Sequence, residues 1–170
     1  MDKRGAGSSR PKHPQSSAFL LAQIGAHAAS RFASMLQELK LAPAHAGILR
    51  AIAATPGISQ QALASLLGMV PSRLVALLDE LQALELLERR DHADDRRVYA
   101  LHLTEKGRKA MSDIGRVARA HDDAICAALN EKERASLWSL LTRIADQQEL
   151  TAGVHPGFAR PGDRSGPPRP

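Results

Sequence analysis

Apolar and polar positions change their period along the chain, and the changes mark out its parts. From Ile58 the apolar positions are Ile58, Ala62, Leu63, Leu66 and Leu67, with Ser59 at the start and Gly68 at the end. That is helical spacing. A serine hydroxyl accepts an orphan N–H at a helix start, and glycine takes the left-handed position that ends one. Three residues on, Pro71 and Ser72 open a second helix, proline being tolerated in a first turn that needs no N–H there. Its inner face is Leu74, Leu77, Leu78 and Leu81; Ser72, Arg73, Ala76, Glu80 and Ala83 line the outer one. After Leu87 the period falls to two, with Tyr99, Leu101 and Leu103 alternating with Val98, Ala100 and His102. Strands are expected at about 86–90 and 98–103, flanking the polar tip His92-Ala93-Asp94-Asp95-Arg96-Arg97. The stretch therefore predicts a helix-turn-helix followed by a β-hairpin wing with a basic edge.

Helices flank this unit on both sides. Ser16 and Ser17 can cap a first helix running to about Leu39, whose apolar residues (Phe19, Leu20, Ile24, Phe32, Met35, Leu36, Leu39) cover more than one face. Pro43 starts a second helix that stops at Thr55-Pro56-Gly57. Thr104 caps a long helix from about Glu105 to Ala128, with Ala110, Ile114, Val117, His121 and Ile125 in register. Asn130 with Glu133 opens the last helix, where Leu137, Leu140, Leu141 and Ile144 recur. The stripes of the first, fifth and sixth helices exceed what a small winged core can cover, which predicts burial against a twofold copy.

The predicted fold class is mainly α with a small β-wing. A flexible basic arm (1–15) precedes a single domain (16–150), in which dimerisation helices (16–40 and 105–150) flank the winged helix-turn-helix (43–103). The tail (151–170), with four Gly and five Pro, is expected to be disordered.

Composition narrows the function. Hydrophobic residues make up 44% of the chain and aromatics 3%, so the core is built from Leu, Ala, Ile and Val, which suits packed helices. The net charge of +5 is misleading as a sign of nucleic-acid affinity. Residues 1–17 carry +3 and residues 151–170 carry +2, while the segment between holds 16 basic and 16 acidic residues. Any DNA-binding argument must rest on where charges sit in the fold. No apolar run approaches the ~20 residues that span a bilayer, and the first residues lack the apolar core of a signal peptide. The lone Cys126 forms no internal disulfide and fits a reducing cytoplasm; it reads as a half-buried structural thiol. The seven histidines show no metal-ligand spacing, and His121-Asp122-Asp123 reads as an exposed helix face. With no phosphate loop and no nucleophile elbow, neither an enzyme nor a cofactor is expected.

Asp95-Arg96-Arg97 at the wing, the alternating strand, and Leu103-Thr104-Glu105-Lys106-Gly107 after it resemble the MarR family of bacterial winged-helix regulators. The resemblance covers about Ala18 to Leu150, and the wing is its most specific part. It implies a homodimer that binds double-stranded DNA in the cytoplasm, with no membrane partner, and that acts as a repressor released by a small aromatic or carboxylate effector.

The helix from Pro71 is the candidate major-groove reader. In it Arg73 is placed to reach a guanine edge and Ser72 a phosphate or base; Ser59 and Gln60 are further DNA candidates. Many relatives carry Thr-Arg where this chain has Val75-Ala76, so sequence preference is not transferable. By resemblance, Arg97 enters the minor groove, Asp95 orients it and Arg96 contacts phosphate. The effector crevice is expected between the first helix, the second and the start of the fifth, with His27, Arg31 and His45 as donors among Phe32, Met35 and Ile48. Two other readings stay open: a winged-helix scaffold for protein partners, and a constitutive repressor without a ligand.

Overall fold

The computed structural model describes residues 16–91 and 99–155, and in them the elements follow one another as the periods predict. They are α1 (Ser17–Gln37), α2 (Pro43–Ala54), β1 (Ile58–Ser59), α3 (Gln60–Leu67), α4 (Pro71–Ala83), β2 (Leu87–Asp91), β3 (Tyr99–Leu103), α5 (Glu105–Ile125) and α6 (Glu131–Gln147). The caps behave as their side chains dictate. Ser16, Ser59, Thr104 and Asn130 each accept the N–H three residues on, and Glu133 returns a bond to the Asn130 N–H. No single helix among the described residues is long and apolar enough to cross a membrane.

The core lies in the winged unit. Leu36, Ile48, Leu49, Ile52, Leu63, Leu67, Leu74, Leu78, Leu81, Leu87 and Leu101 are fully buried, so α2, α3, α4 and the sheet share one apolar centre onto which the end of α1 packs. The sheet has order β1-β3-β2, all antiparallel, with Leu87 opposite Leu103 and Asp91 opposite Tyr99. Strand β1 was not expected; two residues are too few to show a period. It forms because Gly57, at φ 84°, turns its N–H onto the Leu101 carbonyl and sets Ile58 beside Leu101.

Three expectations need correcting. On α3 the buried stripe is Leu63, Ala64 and Leu67, whereas Ala62 and Leu66 face outward. The fifth helix stops at Ile125, three residues short of its expected end, while the first ends at Gln37, within two residues of expectation. The segment after α6 is not featureless at its start. The Val154 N–H bonds the Thr151 carbonyl, Val154 packs against the core, and Gly153 (φ 71°) lies against the Arg50 guanidinium of α2. Val154, directly after the permissive Gly153, gains burial there, and composition averaged over the tail hides it. Residues 1–15 and 156–170, the remainder of the expected arm and tail, lie outside the described residues.

The flanking helices stand apart from this core. In α1 every residue from Ser17 to His27 is exposed, including Phe19, Leu20, Leu21 and Ile24. Helix α6 has no buried residue, and Trp138 on it is 72% exposed. Helix α5 links these parts. Its stripe at Ala110, Ile114, Val117, His121 and Ile125 is covered or partly covered, and His121 Nε2 donates to the Ala28 carbonyl at 2.9 Å while its ring meets Phe32.

Candidate nucleic-acid interface

Helices α3 and α4 turn through 113° between them, the geometry of a helix-turn-helix. The turn is made by Gly68, at φ 61°, whose conformation lets the Met69 N–H return to the Ala64 carbonyl at 3.0 Å. Met69 is buried by that step, and Pro71 restarts the chain as α4. Val70, at the cap position of α4, has no polar side chain, and none caps the helix. The first turn of α4, with Ser72 and Arg73 exposed, therefore presents uncapped helix start and polar side chains together. Beside it an open cleft of about 560 Å³ is lined by Gln60, Gln61, Ala64, Ser65, Gly68, Met69, Val70 and Pro71.

Below this surface Leu74, Leu78 and Leu81 are fully buried, which fixes the depth of α4. Its roll is set by polar links at three residues, Asp79, Glu80 and Gln82. Arg89 of β2 donates to Asp79 Oδ1 at 2.6 Å and to Gln82 Oε1 at 2.5 Å, tying the wing to α4. His45 of α2 meets Glu80 Oε2 through Nε2 at 2.9 Å, tying α4 to the helix before it. These links escaped the reading of the sequence. The period-two pattern of β2 did hold a signal for the first, since Arg89 lies on the same face as buried Leu87. Glu88 and Arg90 share the other face and pair with each other.

The predicted site residues fall into three groups. Ser72 and Arg73 are exposed side by side at the start of α4, with Gln60 at the adjoining cleft. Ser59 is half-buried in β1 and its hydroxyl is occupied as the α3 cap, 3.2 Å from the Ala62 nitrogen. Asp95, Arg96 and Arg97 lie outside the described residues; the strands that lead to them, β2 and β3, are in register from Leu87 to Asp91. Of the three effector candidates, His27 and Arg31 are exposed on α1, but His45 is buried and is brought to Glu80 instead. Its Nδ1 accepts the Ala42 N–H at 3.2 Å, so both ring nitrogens are committed and a carboxylate already faces the ring. His45 therefore leaves the effector set. Among the described residues, no group of three or more His, Cys, Asp or Glu side chains could hold a metal ion.

Comparison with known proteins agrees with this geometry. The model of the MarR family matches residues 39–98, from the end of α1 to the wing. A putative transcriptional regulatory protein for the hcr operon of Thauera aromatica is 35% identical over 105 residues, 62% of this chain and 63% of that protein. The HTH-type transcriptional regulator BilQ of Clostridium symbiosum is 30% identical over 94 residues, 55% of this chain and 65% of that one. The chain thus spans slightly less than two thirds of the length of either relative. Among solved structures, the transcriptional repressor CouR bound to a 23-mer DNA duplex is 30% identical with a TM-score of 0.68, covering 76% of this chain and 92% of that one. The buried leucine face of α4, the winged sheet beside it and these likenesses agree: the chain belongs to the MarR family of winged-helix transcriptional regulators.

Proposed function

We propose that this protein is a sequence-specific, DNA-binding repressor of transcription that works in the cytoplasm as a homodimer on a palindromic operator and is released by a small ligand. The observation that carries the DNA-binding reading is α4 itself, with Ser72 and Arg73 exposed on an uncapped first turn and the opposite face fully buried. Among the described residues, the buried core includes neither Ser72 nor Arg73. CouR, similar in fold and 30% identical, is a repressor bound to DNA, which supports the same partner here. In this reading Arg73 and Ser72 contact the major groove and backbone, Gln60 contacts phosphate beside the cleft, and Arg97, oriented by Asp95 and flanked by Arg96, enters the minor groove.

The homodimer is supported by the apolar residues left uncovered on α1 and α6: Phe19, Leu20, Leu21, Ile24, Leu140, Leu141 and Ile144. A patch of this kind is unusual on a monomer, and a twofold copy covers it without any other partner. Twofold symmetry in the protein then calls for a palindrome in the operator. Release by an aromatic or carboxylate effector rests on His27 and Arg31, one turn apart on α1, as donors beside half-buried Phe32 and Met35.

The test is a mobility-shift titration of the promoter region of the protein's own gene, repeated at several salt concentrations. Specific binding that weakens steeply with salt is expected. Binding equal to that of unrelated DNA at every salt concentration would overturn the reading in favour of a winged-helix scaffold for proteins. A thermal-shift series with salicylate and related acids, on the parent and on Arg31→Ala, tests the effector. Stabilisation of the parent alone is expected, and no stabilisation by any acid leaves a constitutive repressor.

A further inference from the structure

We infer that His45 is a positioning residue for α4: it locks the orientation of that helix to the junction of α1 and α2, and so sets the separation at which two copies of the chain offer their α4 helices to DNA. The inference rests on the DNA-binding dimer proposed above and goes on to how that dimer is aimed.

Among the described residues His45 is the one buried polar side chain, 7% exposed. A buried imidazole is costly unless its nitrogens are satisfied, and an apolar side chain would fill the same space at no such cost. Here both nitrogens are used: Nδ1 closes the start of His45's own helix, at its cap residue Ala42, and Nε2 reaches across to α4. Nδ1 accepts the N–H of Ala42, so it carries no proton, and the proton on Nε2 is donated to Glu80 Oε2. A flipped ring would turn C–H groups toward both partners, so the ring has one orientation.

What it joins is fixed at each end. Ala42 follows the turn that closes α1, in which the N–H groups of Leu39 and Leu41 both return to the Leu36 carbonyl, with Leu36 and Leu41 buried. Ala42 is therefore held to the end of the helix whose other half carries the uncovered apolar face. Glu80 stands seven residues, or two turns, after Arg73 and on the same side of α4. The ring is thus a rigid spacer between the helix that meets the partner copy and the helix that meets DNA. Leucine packing alone leaves α4 free to roll slightly, because apolar contacts are not directional. Arg89 on Asp79 resists a roll from the wing side, and His45 on the next residue resists it from the α2 side.

The test uses Glu80, whose exposed side chain can be changed without opening the core. Glu80→Ala removes the acceptor and the charge, whereas Glu80→Gln removes the charge but keeps an oxygen for Nε2–H. Preferred duplexes are first selected from a random pool with the parent protein. Affinity is then measured on the selected duplex and on versions with the half-sites moved one or two base pairs closer or farther. The parent and Glu80→Gln should prefer the selected spacing by about tenfold or more, and Glu80→Ala by no more than about threefold, with the salt dependence unchanged. The same spacing preference in Glu80→Ala as in the parent would overturn the inference. A second measurement needs no DNA. Amide exchange in the latter half of α4 should quicken in Glu80→Ala and not in Glu80→Gln, and equal exchange in all three proteins refutes the link. If the parent selects no duplex, the DNA-binding reading fails, and the exchange measurement alone decides whether His45 holds α4.

Discussion

Lys40 after α1, Glu85 after α4 and Glu149 after α6 all sit in the left-handed region, with φ of 57°, 59° and 53°. In each case the following N–H reaches back five residues, from Leu41 to Leu36, from Leu86 to Leu81 and from Leu150 to Ala145. Gly68 makes the same closure after α3 without a side chain to strain it. A side chain at such a position costs roughly 1–2 kcal/mol, partly offset because glycine has more freedom to lose on folding. Lys40→Gly should therefore raise stability by about 0.5–1 kcal/mol, read from urea denaturation. The opposite holds at Gly107, inside the first turn of α5. A Cβ there would lie 1.9 Å from the Leu86 carbonyl oxygen, which already accepts the Thr104 N–H. Gly107→Ala should lose at least ~2 kcal/mol in the same measurement, since backbone rather than a movable side chain must give way. That crossing is the physical content of Leu103-Thr104-Glu105-Lys106-Gly107: the threonine caps α5 and the glycine lets the helix start against β2.

At the scale of elements, the winged unit was legible because its signals are short-range. Period, cap and turn residues placed α3, α4, β2, β3 and the start of α5 to within a residue or two. The links that hold α4 were not, because His45 and Glu80 are 35 residues apart, and nothing local says that a histidine near a helix start will be buried. The same distance misdirected the effector reading, which took His45 for a free donor. The elements proposed to read DNA separate the expected effects of substitution. Leu78→Ala, in the fully buried face of α4, should cost about 2–5 kcal/mol of stability. Arg73→Ala should leave the fold intact and relax sequence preference in a selection experiment. Arg97→Ala should weaken operator binding by roughly 1–3 kcal/mol with little change in unfolding, and Asp95→Ala should do so to a smaller degree. An Arg97→Ala protein that binds as tightly as its parent removes the wing arginine from the interface.

For the whole molecule, the core and the uncovered faces lie in different parts of the chain. The winged unit encloses its own leucines, whereas α6 buries no residue and the first half of α1 none either. Stability should then depend on concentration, with the midpoint of thermal unfolding rising as the protein is concentrated from nanomolar to micromolar. Leu141→Asp with Ile144→Asp should abolish that dependence and sediment as a folded 18.3 kDa species, because the winged core does not use either residue. A parent protein that sediments as a folded monomer at micromolar concentration would sink the dimer.

The bare half of α1 also bears on how long the protein survives. Between Ser17 and His27 it offers Phe19, Leu20 and Leu21 to solvent on a helix that a monomer does little to hold. Isolated helical turns of that length open readily, and an opened turn is what a protease cuts. Chymotrypsin should cleave there in dilute solution and spare the segment once copies pair. In a cell, molecules in excess of those that find a partner would then be the ones degraded, so the supply of this regulator would be trimmed by turnover as well as by synthesis.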